Sequence, residues 1–235
     1  MTDDRHRILL VDDDPSLIGV LEPVLSAAGF DVTTAMAGMQ AVAAMRSESP
    51  DLVLLDLGLP DADGKEIVTH IREFSAVPII VISARHQAGE KIAALDLGAD
   101  DFVNKPFDIE ELMARMRAAL RRTGEAEKPP EIYAHGPLRI ELARRRVTVM
   151  GERIHVSPKE FRLLSALVAN AGQVLTHKRL LIAGWGSDRT DPQYLRVYIG
   201  QLRQKIEEDP AAPRFILTEP GIGYRLADPD ERPAV

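Results

Sequence analysis

The stretch Asp51-Leu-Val-Leu-Leu-Asp56-Leu-Gly-Leu-Pro60 decides the fold of the amino-terminal half. Four uninterrupted apolar residues between two acids predict a central strand of a parallel sheet, because both faces of such a strand are covered and the apolar-polar alternation is lost. Asp56 then stands at the carboxyl end of this strand, on the edge where open α/β sheets bind ligands. Gly58 and Pro60 turn the chain away and leave the carboxylate accessible. We therefore predict that Asp56 is a nucleophile.

Strand-like apolar runs alternate with helical stretches on both sides of this segment. Gly29 and Gly98 each follow a helical stretch, where a left-handed terminal residue is needed. Five strand-helix units predict a doubly wound α/β domain with a five-stranded parallel sheet over residues 1–122. The predicted pairs are Arg7 to Val11 with Pro15 to Ala28, Asp31 to Ala35 with Gly38 to Ser47, Leu52 to Leu55 with Gly64 to Glu73, Pro78 to Ile82 with Ala88 to Leu97, and Asp101 to Val103 with Ile109 to Arg122.

The totals are those of a well-folded protein with two small domains: 235 residues, a formal net charge of -7 and no cysteine. Without cysteine there is no disulfide framework and no thiolate metal site. The first residues lack the apolar core of a signal peptide, and no run reaches the roughly 18 apolar residues that span a bilayer. We therefore expect a cytoplasmic protein with no membrane partner.

Charge is divided unevenly along the chain. Residues 1–122 contain 21 Asp and Glu against 12 Lys and Arg, a net charge of -9, whereas residues 123–235 contain 15 against 17, a net charge of +2. This asymmetry suggests an acidic, cation-binding domain joined to one that meets a polyanion, because Lys and Arg neutralise phosphates in nucleic-acid binding.

The second half begins after an exposed linker, predicted over residues 123–130 from its charge, glycine and proline pair. Residues 131–235 then show three short alternating runs typical of an antiparallel sheet. Ser157-Pro-Lys-Glu160 has the capping box of a helix start, and Thr176 and Asp191 are expected to cap two more helices. A final β-hairpin turns at Glu219-Pro-Gly-Ile-Gly223. Sheet, three helices and hairpin together predict an α+β winged-helix domain.

Polar residues gather at the predicted carboxyl ends of the first-half strands. Asp12, Asp13 and Asp14 end the first strand, Ser83 ends the fourth and Lys105 follows the fifth. Close carboxylates repel unless a cation intervenes, and Mg²⁺ with octahedral oxygen ligands fits the carboxylates of Asp13 and Asp56 and a backbone carbonyl near Gly58. A hydroxyl, an ammonium and a cation around Asp56 suit in-line phosphoryl transfer that forms an acyl phosphate. Taken alone, a triple Asp is more often a helix cap or a solvated loop.

Residues 7–122 resemble the receiver domain of two-component response regulators in Val11-Asp-Asp, Leu55-Asp56-Leu-Gly-Leu-Pro60, Ser83-Ala84 and Lys105-Pro-Phe107. The resemblance implies that Asp56 accepts phosphate from the phosphohistidine of a kinase and that Asp12, Asp13 and Asp56 bind Mg²⁺. It also implies that Ser83 and Lys105 contact the phosphoryl oxygens. The switch aromatic of the family, often Tyr or His, is here Phe102. Phe102 has no hydroxyl with which to signal an inward movement by a hydrogen bond.

The third helix of the second half presents a surface suited to the major groove. Arg is able to read guanine and Gln adenine, while apolar atoms touch thymine methyl groups. Gly200 costs about 1 kcal/mol of helix stability relative to Ala, and a close approach to DNA would compensate. The residues predicted on this surface are Gln193, Tyr194, Arg196, Val197, Tyr198, Gly200, Gln201, Arg203, Gln204 and Lys205. Without the winged-helix context, the same pattern would indicate an ordinary amphipathic helix.

The start of the second helix is predicted to bind backbone phosphates, and the hairpin is predicted to enter the minor groove or touch phosphate. The phosphate-binding candidates are Thr176, His177, Lys178 and Arg179, and the hairpin candidates are Tyr224 and Arg225. The single Trp, Trp185, is predicted to be a packing residue.

Residues 131–227 resemble the winged-helix effector of the OmpR/PhoB subfamily in Ser157-Pro-Lys-Glu-Phe-Arg-Leu-Leu, Gly184-Trp-Gly and Gly221-Ile-Gly-Tyr-Arg. That subfamily dimerises through charge pairs between receiver domains. The resemblance implies pairs of Lys91 with Glu111 and of Asp101 with Arg115, and Asp100 with a basic partner, in a homodimer favoured by phosphorylation. Taken singly, these five residues would be solvated charges.

Gln193-Tyr-Leu-Arg-Val-Tyr-Ile-Gly-Gln-Leu-Arg-Gln-Lys and Thr218-Glu-Pro-Gly-Ile-Gly-Tyr-Arg resemble, more narrowly, the KdpE group of potassium-response regulators. This resemblance implies a KdpD-like sensor histidine kinase as phosphate donor and the operon of a high-affinity potassium pump as target.

The sequence thus favours a phosphorylation-switched transcription factor that is not an enzyme. The alternative is a metal-dependent phosphohydrolase that uses Asp56 as nucleophile on substrates of its own. Such an enzyme would need a substrate cleft, whereas the second half offers a groove-reading helix and a hairpin. DNA binding that is independent of phosphate stays open because of Phe102.

Overall fold

A computed structural model of the chain describes residues 5–84, 88–124 and 132–229. The chain divides into two compact units, Met1–Ala126 and Glu127–Val235. Residues 123 and 124 of the predicted linker belong to a helix, Ile109–Gly124, whereas residues 125–130 lie outside the described part. No helix in the described ranges combines the length and the apolar character that a bilayer span requires.

The first unit alternates strands and helices throughout. All neighbouring strands are parallel, in the order β2-β1-β3-β4-β5, which confirms the predicted doubly wound α/β sheet. Its elements are β1 (Arg7–Val11), α1 (Pro15–Ala27), β2 (Asp31–Ala35), α2 (Gly38–Ser47), β3 (Leu52–Asp56), α3 (Gly64–Arg72), β4 (Ile79–Ala84), α4 (Ala88–Asp96), β5 (Asp101–Lys105) and α5 (Ile109–Gly124).

Strand β3 lies at the centre of the sheet and is buried along its whole length. The strand order reverses between β1 and β3, where Val11 pairs with Leu55, so the carboxyl ends of these two strands lie side by side. Such a reversal is the usual ligand-binding point of an open α/β sheet. Strand β5 runs two residues beyond its predicted end because Asn104 and Lys105 pair with Ser83 and Ala84 of β4. Lys105 is therefore held by the sheet itself.

The second unit is a sheet, three helices and a second, smaller sheet. Strands β6 to β9 form an antiparallel sheet in chain order, and the smaller sheet has the order β10-β12-β11. The elements are β6 (Ile132–His135), β7 (Leu138–Glu141), β8 (Arg146–Val149), β9 (Glu152–Ile154), α6 (Pro158–Ala169), β10 (Val174–Thr176), α7 (His177–Trp185), α8 (Pro192–Ile206), β11 (Ile216–Glu219) and β12 (Gly223–Leu226).

Local sequence signals placed the helices of this unit correctly. Ser157 and Glu160 form the predicted capping box, and the side chains of Thr176 and Asp191 cap α7 and α8. The apolar residues along one side of α6 and of α8 are buried in one core. The helix starts and their buried faces are therefore fixed by residues close together in the chain.

Two strands of this unit were not predicted from the sequence. Strand β6 shows little alternation of apolar and polar residues in its sequence, although Tyr133 is 1% exposed and Ile132 45% exposed. It is a strand because it pairs with β7. Strand β10 has three residues and pairs with β12, so the expected hairpin is a three-stranded sheet. At this junction a Cβ on Gly223 would stand 1.9 Å from the carbonyl oxygen of Leu175, so only glycine fits.

Candidate functional site

The edge at the carboxyl ends of β1, β3 and β5 contains two carboxylates that share one ammonium group. Asp12 follows β1 and is fully buried, and Asp56 ends β3 and is 9% exposed. Lys105 Nζ donates hydrogen bonds to Asp12 Oδ2 at 2.7 Å and to Asp56 Oδ2 at 2.8 Å. Asp12 also accepts from the N–H of Asp14 at 2.9 Å, and Asp56 from the N–H of Gly58 at 3.3 Å.

Asp13 completes an acidic cluster with Asp12 and Asp56, in which one ligand oxygen from each lies within 4.8 Å of the others. Asp13 is exposed, whereas its two neighbours in the cluster are buried. Oxygen ligands at this spacing suit a hard divalent cation. The cluster is therefore able to bind a metal ion, as predicted, and Gly58 lies at its rim.

Burial and hydrogen bonding together shift the pKa values of Asp12 and Lys105 in this pocket. It raises the pKa of Asp12 above its ordinary value, although the hydrogen bonds from Lys105 and Asp14 act in the opposite direction. Burial alone would lower the pKa of Lys105, but its bonds to Asp12 and Asp56 outweigh that effect and the pKa is raised. Lys105 thus remains a cation that offsets the repulsion between two buried carboxylates.

Ser83 and Phe102 lie in the neighbouring strands β4 and β5. Ser83 is fully buried and stands one position beyond Ile82, the register partner of Asp56. Phe102 is 1% exposed, and its ring already lies inside the unit. Lys91 Nζ is 5.6 Å and Arg115 Cζ 6.0 Å from the centre of this ring, so Phe102 contacts cations from both α4 and α5.

The five charges predicted for a dimer face have partners within the chain. Lys91 is 2% exposed and donates a hydrogen bond to Asn104 Oδ1. Arg115 forms ion pairs with Asp101 at 2.8 Å and with Glu111 at 2.9 Å. The basic partner of Asp100 is Arg72, at 2.8 Å. Lys91 and Asp101 are thus not solvated charges, which excludes that alternative for both.

These internal pairs change what the predicted dimer requires. A pair of Lys91 with Glu111 of a second chain needs Lys91 to leave Asn104, because Lys91 is buried. Pairing of Asp101 with Arg115 is already satisfied within one chain. Pairing between chains therefore remains a prediction.

Helix α8 exposes about half of the residues predicted to touch DNA. Tyr194 is 60% exposed and Val197 51% exposed, so both side chains are accessible to a partner. A Cβ on Gly200 would meet nothing within 4 Å, so packing does not require glycine there. The exposed candidates are Gln193, Tyr194, Arg196, Val197, Gln201 and Gln204.

Three predicted contacts on α8 are instead engaged within the unit. Arg203 donates to the carbonyl oxygen of Ile216 at 2.6 and 3.0 Å and to Thr218 Oγ1 at 2.7 Å. Lys205 Nζ bonds both carboxylate oxygens of Glu160, at 2.7 and 2.8 Å. The ring of Tyr198 packs edge-on against Trp185, which confirms Trp185 as a packing residue. These three half-buried side chains therefore have a part in the fold, and their contact with DNA stays a prediction.

The predicted phosphate-binding residues at the start of α7 differ in the same way in their exposure and internal contacts. Thr176 is 1% exposed and caps the helix by accepting from the N–H of Arg179, so its role is structural. Lys178 is exposed and Arg179 is half-buried, and their contact with phosphate stays a prediction. Burial, followed by the charge of Arg196, lowers the pKa of His177. His177 is therefore uncharged at neutral pH and does not act as a cation.

The hairpin contains a second correction. Tyr224 is 6% exposed and belongs to the core of the unit, with its ring packed against His177. It therefore does not reach out from the hairpin. Arg225 Nε lies 3.5 Å from Glu219 Oε1 on the facing strand, and its part in DNA binding stays a prediction.

Both units match known protein families. Residues 8–117 match the model of the response regulator receiver domain, and residues 151–226 match that of the carboxyl-terminal domain of transcriptional regulatory proteins. The chain belongs to the two-component response regulators, in the OmpR/PhoB subfamily. It therefore combines a receiver domain with a DNA-binding domain. This combination implies a kinase as partner and binding to DNA.

Among its relatives, the chain is similar to two proteins called KdpE. It is 45% identical over 221 residues, 94% of this chain and 98% of the relative, to the KDP operon transcriptional regulatory protein KdpE of Escherichia coli. It is 41% identical, over 93% of this chain and 98% of the relative, to the transcriptional regulatory protein KdpE of Mycobacterium tuberculosis. The DNA-binding response regulator MtrA of Mycolicibacterium smegmatis is 42% identical, over 96% and 98% of the two chains.

The first unit also resembles a solved structure. A CheY-like response regulator receiver domain protein from Methanospirillum hungatei aligns with 53% of this chain and all of its own length, at a TM-score of 0.50 and 24% identity. At that identity the likeness supports the receiver fold alone.

Sequence reasoning missed two polar residues near the acidic cluster. Asn104 bonds Lys91, which lies 13 positions earlier in the chain. Asp61 bonds the N–H groups of Gly38 and Met39, more than 20 positions earlier. No local pattern marks such partners, because the sheet and helix packing brings them together.

We expect Asp12→Asn to raise the free energy of unfolding at neutral pH by about 1 kcal/mol, the usual scale of a single substitution. The pKa of Asp12 is higher in the folded protein than in the unfolded chain. Its stabilising contribution is present below the unfolded pKa and is lost as the pH rises through the folded pKa. The advantage of Asp12→Asn should therefore shrink as the pH falls toward 3.8, the ordinary value for Asp.

Urea unfolding of the wild type and the variant at neutral and acidic pH measures this difference. Asp13→Asn is the matched control, because it removes an exposed carboxylate of the same cluster. A less stable Asp12→Asn at neutral pH would show that the bond to Lys105 outweighs the cost of burial.

Proposed function

We propose that a sensor histidine kinase phosphorylates Asp56 with Mg²⁺ and thereby switches this regulator. The observation that carries the proposal is the Asp56 carboxylate, which lies 2.8 Å from Lys105 Nζ within the cluster that it forms with Asp12 and Asp13. A nucleophile, a cation and a metal-binding carboxylate set are the parts that phosphoryl transfer requires.

Each residue of the pocket has a part in this proposal. Asp12, Asp13, Asp56 and the carbonyl of Gly58 would hold Mg²⁺, which supplies positive charge to the phosphoryl oxygens. An Asp56 oxygen forms the new bond to phosphorus as the bond to the kinase histidine nitrogen breaks. Lys105 and Ser83 stabilise the negative charge on the transferred group. The product is an acyl phosphate on Asp56.

The proposed output is binding to promoter DNA through α8. The exposed side chains of Gln193, Arg196, Gln201 and Gln204 would read bases, and Lys178 and Arg179 would bind phosphates. Because two relatives are named KdpE, we extend the proposal to a KdpD-like kinase and to a kdp-type operon for potassium transport. Such a regulator works where the DNA is, in the cytoplasm.

Phosphorylation is further proposed to favour a symmetric dimer through α4, β5 and α5. Charges cluster on this face, and three of them, Lys91, Asp101 and Arg115, surround the buried Phe102 or pair beside it. A shift of β4 and β5 around the phosphate would alter the Lys91–Asn104 bond, because Asn104 precedes Lys105 and pairs with Ser83. The response would then not require a hydroxyl on Phe102.

We expect acetyl phosphate and Mg²⁺ to add one phosphoryl group to the wild type and none to Asp56→Asn, because the amide lacks the nucleophilic oxygen. Intact-protein mass spectrometry measures both. Multiple turnover of small phosphate esters by the wild type would instead support a phosphohydrolase, and phosphate on Asp56→Asn would place the nucleophile elsewhere.

Phosphorylated wild type is expected to sediment as a dimer in analytical ultracentrifugation. Arg115→Ala should remain monomeric after phosphorylation because it removes the proposed pair with Asp101 of a second chain. Arg117→Ala, an exposed residue of the same helix, is the matched control and should still dimerise. Monomeric phosphorylated wild type would contradict the proposed dimer.

The two kinds of DNA contact should separate in binding measurements. Arg196→Ala is expected to cost about 1–3 kcal/mol on the promoter site and to relax base preference there. Lys178→Ala should weaken binding to all sequences alike and lower the salt dependence by about one unit. Titrations against a footprinted promoter fragment and a scrambled fragment, at several salt concentrations, measure both. Equal effects of the two variants would overturn this division of roles.

A further inference from the structure

The loop between β3 and α3, residues 57–63, begins beside Asp56 and is fixed at both ends. The N–H of Gly64 donates to the carbonyl oxygen of Leu57 at 3.3 Å. A Cβ on Gly64 would stand 2.6 Å from Leu57 Cα and 2.9 Å from the carbonyl oxygen of Asp56. The start of α3 therefore packs directly against the backbone that carries Asp56, and a displacement of the loop would be transmitted to that backbone.

Asp61, in the middle of this loop, connects it to a different helix. Its Oδ1 accepts from the N–H of Gly38 at 2.8 Å, and its Oδ2 accepts from the N–H of Met39 at 3.1 Å. Helix α2 starts at Gly38, and the residue before it, Ala37, provides no side-chain cap. Asp61 thus supplies the N-terminal cap of α2 from a distant part of the chain, with a negative charge at the positive end of the helix.

The contact between α2 and the loop is closely packed as well as hydrogen-bonded. A Cβ on Gly38 would stand 2.7 Å from Ile67 Cδ1 and 3.2 Å from Ala62 Cβ. The bonds from Gly38, and then from Met39, lower the pKa of Asp61, so its carboxylate is ionised at neutral pH. Two charge-assisted hydrogen bonds and the close packing at Gly38 together hold Asp61 against the start of α2. We call this contact the Asp61 bridge.

We propose that Asp61 is a positioning residue for phosphorylation: it ties the loop to α2 so that Asp56 and the carbonyl of Gly58 are already arranged to bind Mg²⁺. This inference rests on the proposed function, because it assigns a part in the same reaction. Metal ligands that are held in place by neighbouring bonds bind more tightly than ligands that must first be ordered. Loss of the Asp61 bridge should therefore weaken Mg²⁺ binding while the sheet stays folded.

Asp63→Ala is a matched control for Asp61→Ala. Asp63 is in the same loop and also caps a helix, but its carboxylate accepts from the N–H of Lys65 and serves α3 alone. Each variant loses one exposed helix cap, so their effects on stability should be similar. Only Asp61→Ala releases the loop from α2, and Mg²⁺ affinity distinguishes the two.

The experiment is titration calorimetry of Mg²⁺ into the unphosphorylated full-length protein, with thermal unfolding of the same samples. Asp61→Ala should weaken Mg²⁺ binding by about tenfold, the lower end for loss of a group that supports metal ligands. Asp63→Ala should stay within about twofold of the wild type on the same scale. Asp61→Asn keeps one acceptor oxygen, so its Mg²⁺ affinity should lie between those of Asp61→Ala and Asp63→Ala. If Asp61→Ala does not fold, Asp61→Asn replaces it in the comparison.

Equal Mg²⁺ affinities in Asp61→Ala, Asp63→Ala and the wild type would overturn the inference, since Asp61 would then only cap α2. This failure is distinct from failure of the proposed function. A wild type that binds Mg²⁺ but takes no phosphoryl group from acetyl phosphate would overturn phosphorylation. The comparison of Asp61→Ala with Asp63→Ala would still decide whether Asp61 positions the loop.

Discussion

Two carboxylates at the edge of one parallel sheet, Asp12 and Asp56, share the ammonium group of Lys105. Their strands end side by side because the strand order reverses between β1 and β3. Without a cation the two charges would repel at low effective dielectric, and burial already raises the pKa of Asp12. The Lys105 ion pair therefore makes the acidic cluster compatible with a folded sheet.

The same strands connect this pocket to the face formed by α4 and α5. Asn104, next to Lys105 in β5, pairs with Ser83 in β4 and accepts a hydrogen bond from Lys91 in α4. Phe102, two residues earlier in that strand, packs near the cations of Lys91 and Arg115. Asp56 is thus separated by only a few contacts from the ring of Phe102 and from two cations on that face. Small movements of two adjacent strands are sufficient to couple them.

The effector unit uses cations for a different purpose. Arg203 joins α8 to β11, and Lys205 joins α8 to the buried carboxylate of Glu160 in α6. These two bonds fix the helix on two sides, while Arg196 remains exposed. A rigid reading helix gains specificity because its side chains are already oriented when it enters the groove.

The sequence by itself determined most elements of both domains and the residues of the acidic cluster. Apolar runs, capping residues such as Ser157 and the acids after strands β1 and β3 are local signals, and parallel strands must end on a common edge. Only the tertiary structure decided which polar side chains are free to act. Arg203, Lys205, Tyr224 and Lys91 look like surface residues in the sequence, yet each is engaged by a partner distant in the chain. The helix cap from Asp61 to α2 was equally invisible, because a hydrogen bond depends on distance in space and not on spacing along the chain.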